Sequence, residues 1–282
     1  MAVFDEGQDA VVAPLLRWSR RPFRMSEPAP PSSRHAFLLD LDDELAPALD
    51  ARARAAARQL ATARTLHADV GECDLSPWFG AVRSVPGLLV LDGLIAVQTQ
   101  AGDRTATELI GAGDLLHTPV ERRDDLLERV DRWRALRPTR FAVLDLEFAD
   151  RIRPFPQIAY ALLRRSGRRI TDIDTLRTIT SQPRLEVRLV LLLWHFAARW
   201  GRVDPAGIRV SLPLTHRLLG QLVAAERPSV SHALRRLARA GLVTGSAVDL
   251  HLHGTVERHL ELLTSRGNGD SERGPSGSGR RG

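Results

Sequence analysis

Arg227, Arg235, Arg236 and Arg239 fall within the stretch RPSVSHALRRLAR, interleaved with Ser229, Ser231 and His232. A guanidinium is a planar fork of donors that matches a phosphate, a carboxylate or the O6/N7 edge of guanine, and it stays charged at physiological pH. Serine hydroxyls add short-range donors and acceptors, and an imidazole can do either. Side chains three and four positions apart share one side of a helix. Such a group can hold a polyanion and can discriminate one base edge from another. Residues 215–240 carry five arginines against one acid, Glu226, a local surplus of four positive charges.

Two short helices are needed to present these groups. Thr215 can cap the first by accepting a backbone N–H bond, and the pairs Leu218/Leu222 and Leu219/Val223 give that helix an apolar side. Gly220 permits close approach by another helix. AAERP, residues 224–228, supplies the turn, and Pro228 is tolerated in the first turn of the next helix, where N–H groups lack intrahelical acceptors. In the second helix Val230, Ala233, Leu234 and Leu237 face inward. Arg227, Pro228, Ser231, His232, Arg235, Arg236 and Arg239 face outward. The geometry predicts a helix-turn-helix, with a generic pair of antiparallel helices in a bundle as the alternative. An exposed helix of this kind fits a major groove, with Arg227 bidentate to guanine and the helix start, Ser229 included, turned to phosphate. Arg235 and Arg236 are expected on the DNA backbone. The following GLVTGSAVDLHLHG reads as a winged hairpin turning at Thr244–Ser246. His251 and His253 share one face of it, and a metal site there would need further ligands that the sequence does not identify.

The 282 residues, 43% of them hydrophobic, suffice for two ordinary cores. Lysine is absent, so a formal charge of +6 rests on arginine alone, which a compositional bias would also produce. Cys73 is the sole cysteine, which excludes an intrachain disulfide framework and fits a reducing compartment. No run of about 18 apolar residues occurs, and the first residues lack the pattern of a signal peptide, so the expected location is the cytoplasm, away from membranes.

Residues 1–34 are expected to form a flexible arm and 265–282 a disordered tail. Ala, Leu and Arg from Asp43 to Leu66 predict one helix. From Gly80 to Leu146, LLVLDG, LIAVQTQ, the turn AGDR and FAVLD read as short strands joined by glycine-centred turns, giving a small antiparallel sandwich or barrel. Residues 155–180 predict a long helix with a stripe of Leu162, Ser166, Ile170, Ile173, Leu176 and Thr180, either dimerising or packed within the fold. Residues 183–203 form a more apolar helix stopped near Gly201, with Leu185, Leu189, Leu192 and Phe196 inward. His195 and Trp200 read as scaffold. Asp114, His117 and Thr118 are explained by a turn at a barrel edge, and no nucleophile–base pair or phosphate loop is found, so the chain is not read as an enzyme.

Residues 210–243, VSLPLTHRLLGQLVAAERPSVSHALRRLARAGLV, resemble the DNA-reading module of the cyclic-AMP receptor / fumarate–nitrate regulator family. The likeness lies in the Thr-led support helix, the R-P-S-V-S start, the A-L-R-R-L continuation and the glycine exit. It places Arg227, Pro228 and His232 at the base-facing positions and Thr215, Ser229, Ser231, Arg235 and Arg236 toward the DNA backbone. Glu226 departs from the small hydroxyl residue of many relatives. Residues 80–146, with GAGD at Gly111–Asp114, resemble the family's cyclic-nucleotide-binding domain. His117 and Thr118 stand where a nucleotide-binding relative has glycine and glutamate, and the phosphate-gripping arginine has no clear counterpart.

The resemblance implies an α+β chain: the arm, a cyclic-nucleotide-binding-like β-barrel over 35–150, a connecting and dimerising helix over 151–181, a winged helix-turn-helix over 182–264, and the tail. Its implied partners are double-stranded DNA, a second copy of the chain and RNA polymerase. No cofactor is predicted. His67 and Cys73 are read as structural rather than as haem ligands, and the central domain is left open to an unidentified small effector. The alternative to a DNA-binding regulator is a signalling or protein-interaction module on the same fold.

Overall fold

The computed structural model describes residues 35–80, 87–117 and 129–271, which form two compact units divided within one long helix between Thr175 and Leu176. The expected arm, Thr118 and the last residues of the tail lie outside the described residues.

The first unit runs β1 (His35–Phe37), α1 (Leu38–Leu41), a 3-10 turn at Asp43–Leu45, α2 (Ala51–Leu60), β2 (Thr62–Ala68), β3 (Gly71–Cys73), α3 (Ser76–Gly80), β4 (Gly87–Ala101), β5 (Arg104–Gly111), β6 (Leu115–Leu116), β7 (Arg129–Leu144), α4 (Leu146–Arg151) and α5 (Pro156–Thr180). Its antiparallel sheet has the order β1-β2-β7-β4-β5, with β3 also on β7 and β6 also on β4. Among the described residues the outer strands β1 and β5 are not paired with each other, so the barrel-like sheet is not closed.

The alternation of side chains builds the core on both faces. Leu88, Val90, Phe141 and Val143 point into one buried cluster with Ile95, Val97 and Trp133. Leu89, Ala142 and Leu144 point into another, covered by Leu38, Leu39 and Phe148. Two expectations are corrected here. The helix predicted over Asp43–Leu66 is α2 alone, capped by the Asp50 carboxylate accepting from Ala53 N at 2.8 Å. Beyond Leu60, pairing of β2 with β7 from Arg64↔Val143 to Ala68↔Thr139 overrides the helical composition. LLVLDG and LIAVQTQ are not two strands but one, β4, whose register shifts between Val90 and Ile95. Gly93 lies in that bulge at φ +100°, where a Cβ would come within 2.5 Å of the Pro138 carbonyl.

Arginines fasten α5 to this sheet. Arg165, 4% exposed, donates to the Gly113 carbonyl and to Asp42, each at 2.6 Å. The Asp114 carboxylate accepts from Gly111 N at 2.8 Å, which closes the GAGD turn. Arg169 reaches Glu108 at 2.6 Å and the Leu115 carbonyl. The expected apolar stripe of α5 is rotated. Leu162 turns into the core, whereas Tyr160, Leu163 and Ile170 are each more than 60% exposed, with Ile173 beside them at 44%. The spacing predicted a stripe but could not say which turn of it the sheet would claim.

The second unit contains the end of α5, then α6 (Leu185–Trp200), β8 (Arg202–Asp204), β9 (Gly207–Val210), α7 (His216–Val223), α8 (Arg227–Arg239), β10 (Val243–Ser246), β11 (Asp249–Leu252) and α9 (Val256–Ser271). Leu189, Leu192 and Phe196 of α6 are buried as expected, and a Cβ at Gly201 would meet the Ala197 carbonyl at 2.3 Å, in keeping with a stop there. The wing is larger than predicted. Its sheet has four antiparallel strands in the order β10-β11-β9-β8. Thr244–Ser246, expected as the turn, belong to β10, and the reversal follows at residues 247 and 248. α9 carries seven residues of the expected tail.

Candidate nucleic-acid interface

The helix pair forms where the sequence places it. Thr215 accepts from Leu218 N at 3.2 Å and caps α7, and Leu218, Leu219, Leu222 and Val223 are buried beneath it. The chain then turns through Ala224 in the left-handed region, φ 52°, an uncommon conformation for a residue with a Cβ. Gly220 makes room for this corner rather than for another helix. Its carbonyl accepts from Ala225 N at 2.8 Å, and a Cβ on it would stand 2.5 Å from the Ala225 carbonyl.

α8 starts at Arg227 with Pro228 in its first turn and without a side-chain cap from Glu226. Val230, Ala233, Leu234 and Leu237 are each no more than 1% exposed. Arg227, Pro228, Ser229, His232, Arg235, Arg236 and Arg239 are exposed. Apart from Ser231, which was expected outward and is half-buried, the binary division of this helix is the one its periodicity predicts.

Hydrogen bonds distinguish the polar groups on the exposed side. Arg235 donates to His232 Nδ1 at 3.1 Å and to the Ser231 carbonyl at 3.3 Å. With Nδ1 serving as an acceptor, a neutral His232 carries its proton on Nε2 and presents a donor. Ser231 is half-buried between the helices: its hydroxyl donates to the Arg227 carbonyl at 3.1 Å and contacts His216 Nδ1 at 2.8 Å.

Three of the side chains expected on the DNA backbone have partners within the protein. Thr215 is 3% exposed, and its oxygen accepts the cap bond from Leu218 N. Ser231 joins the two helices. Arg236 forms an ion pair with Glu186 of α6, a carboxylate buried to 7% exposure. The sequence did not single out Glu186, because nothing local links it to a residue 50 positions further on.

The wing histidines bind within the protein. His251 Nε2 lies 3.3 Å from Asp204. His253 Nδ1 donates to the Ala206 carbonyl at 2.8 Å, leaving Nε2 to accept from the Thr244 hydroxyl at 2.7 Å. Asp249 accepts from Arg209 at 2.6 Å and from Ser211 at 2.7 Å, and the Arg209 bonds hold its carboxyl below the usual range.

In the first unit a half-open groove of about 540 Å³ is lined by Leu115, His117, Phe148, Ile152, Leu162 and Leu163 among others. None of the described residues lining it is a carboxylate of the kind that fixes a ribose hydroxyl. Burial pushes the Cys73 thiol up to about 12, which suits a packed side chain rather than a reactive one.

Residues 187–252 match the sequence model of the Crp-like helix-turn-helix domain. No match is found among curated protein sequences. Among solved structures, a CooA variant from Carboxydothermus hydrogenoformans is similar with a TM-score of 0.55 at 19% identity, over 71% of this chain and 87% of that one. FixK2 from Bradyrhizobium japonicum gives 0.52 at 15% identity over 71% and 96%. CLP, the c-di-GMP-responsive regulator of Xanthomonas campestris, gives 0.50 at 17% identity over 70% and 97%. The antiparallel sheet domain, the long helix and the terminal helix-turn-helix thus share the fold of these proteins.

Proposed function

We infer that this chain, a transcription regulator of the Crp/Fnr type built on that fold and ending in a Crp-like helix-turn-helix domain, reads its sites as a homodimer through Arg227, Pro228 and His232. The observation that carries this reading is the exposed face of α8, held outward by four apolar residues that are each at most 1% exposed. Arg227 pairs with guanine, His232 donates from Nε2 to a base acceptor under the direction of Arg235, and Pro228 contributes shape. Ser229 and Arg235 lie toward phosphate. Two copies would present their α8 helices to half-sites about 34–36 Å apart.

The exposed residues Tyr160, Leu163 and Ile170 of α5, at steps of three and seven, favour a second copy of the same helix as their cover. Regulation of transcription brings RNA polymerase in as a further partner and places the protein in the cytoplasm. No helix among the described residues is long and apolar enough to cross a membrane. The reading involves no chemical step.

Selection from random duplexes, followed by titration of the selected site against shuffled DNA, tests the reading. A sequence preference that a wild-type preparation shows and Arg227→Ala loses supports it. A folded protein that binds every duplex alike, or none, overturns it.

A further inference from the structure

The first turn of α6 puts three charged side chains on three different parts of the helix-turn-helix unit. Arg184, the residue before the helix, donates to the Leu263 carbonyl of α9 at 2.6 Å. Glu186 is ion-paired with Arg236 of α8. Arg188 donates to the Val223 carbonyl at 2.9 Å and lies 3.4 Å from the Ala224 carbonyl, the left-handed corner between α7 and α8. A helix C-terminus and a corner have carbonyls without intrahelical partners, and a guanidinium satisfies them while drawing the corner against α6.

Arg236 does not share the centre of the exposed face. At roughly 100° per residue it stands about 80° round from Pro228 and about 100° from Arg235, beyond His232 at about 40°, on the flank of α8 that Glu186 meets. Glu186 is almost completely buried while the Arg236 side chain is 67% exposed, so the cation reaches in from the surface and its removal would leave the carboxylate uncompensated. We propose that Glu186 is a positioning residue for DNA reading: it keeps Arg236 out of the phosphate contacts and uses it as a strut fixing the roll of α8, with Arg188 fixing the corner. The proposal rests on the DNA-reading role above.

The test measures affinity for the selected duplex and for a shuffled duplex across a salt series, on wild type, Arg236→Ala, Glu186→Gln and Glu186→Gln/Arg236→Ala. Each phosphate neutralised adds about 0.9 to the steepness of log K against log salt. The expected result for Arg236→Ala is an unchanged slope with a several-fold smaller preference for the selected duplex. Glu186→Gln frees Arg236, so its slope steepens by about 0.9 and shuffled DNA binds more tightly. The double variant returns to the wild-type slope. A slope that flattens by about 0.9 in Arg236→Ala alone means Arg236 already grips a phosphate and overturns the proposal, even where Glu186→Gln fails to fold. Equal preference for the selected duplex in wild type and Arg236→Ala also overturns it. Loss of the DNA-reading role itself shows separately, as a wild-type protein with no sequence preference.

Discussion

Trp194 Nε1 donates to His259 Nδ1 at 3.2 Å, and the ring that accepts this bond is 0% exposed. Its other nitrogen, Nε2, donates to the His253 carbonyl at 2.5 Å, so the neutral Nε2–H tautomer is the one that the packing of α9 on α6 requires. Burial lowers the pKa of His259 from its ordinary 6.5, with Arg258 and His253 adding to the same direction and the bond to the His253 carbonyl opposing it. The unfolded chain therefore takes up a proton that the folded one refuses. Stability is whole above pH about 6.5 and falls as the pH drops from there toward the lowered folded value. Urea unfolding between pH 7.5 and 5 is expected to show a declining midpoint that His259→Gln, which keeps a donor and an acceptor but cannot titrate here, makes flatter. An equal decline in both proteins rules His259 out as the cause.

Arg227→Ala is expected to weaken binding to a favoured site by about 1–3 kcal/mol and to weaken unrelated DNA less. Competition titrations with matched duplexes measure the difference. Equal losses on both would assign Arg227 to phosphate rather than to a base.

Gly220→Ala sets a methyl 2.5 Å from the Ala225 carbonyl in a corner that already holds Ala224 at φ 52°. The expected loss of stability is about 1–3 kcal/mol, the range for overpacking a closed site. Thermal unfolding checks it, and the DNA affinity of the variant at low temperature should fall as well, because the same corner aims α8. A variant as stable as wild type shows that the corner can shift.

Leu163→Asp with Ile170→Asp adds charge to two exposed positions that contact nothing essential to the buried sheet clusters. The substituted protein should fold, sediment as a monomer and bind a two-half-site duplex far more weakly than wild type does. A doubly substituted protein that still sediments as a dimer moves the contact between copies to another face.

The residues of α8 were legible in advance because its pattern is local: apolar positions at helical spacing fix which side is inward, and the exposed arginines follow. What each arginine does was not legible. Arg235 and Arg236 are neighbours of one type, yet one supports His232 and the other is claimed by a carboxylate on α6. The same limit applies to the sheet unit. AGDR was identifiable as a turn from its own residues, with Gly102 at φ +59°. LDGL looks the same locally, but pairing with β7 on both sides of Gly93 makes it a bulge within one strand. β8 and β9 carry no clear signal in the sequence, because strands of three and four residues, such as Arg202–Asp204, have too little alternation.

One ladder runs the whole length of β4 and β7, from Gly87↔Leu144 to Ala101↔Arg129, and β2, β3, β5 and β6 each hang from one of its two strands. If that ladder parts, the sheet falls into β1-β2-β7-β3 and β5-β4-β6, and both buried clusters, which span the break, come open. The amides shared by β4 and β7 should therefore be the last in the unit to take up deuterium, and should do so together, in one all-or-nothing event rather than strand by strand.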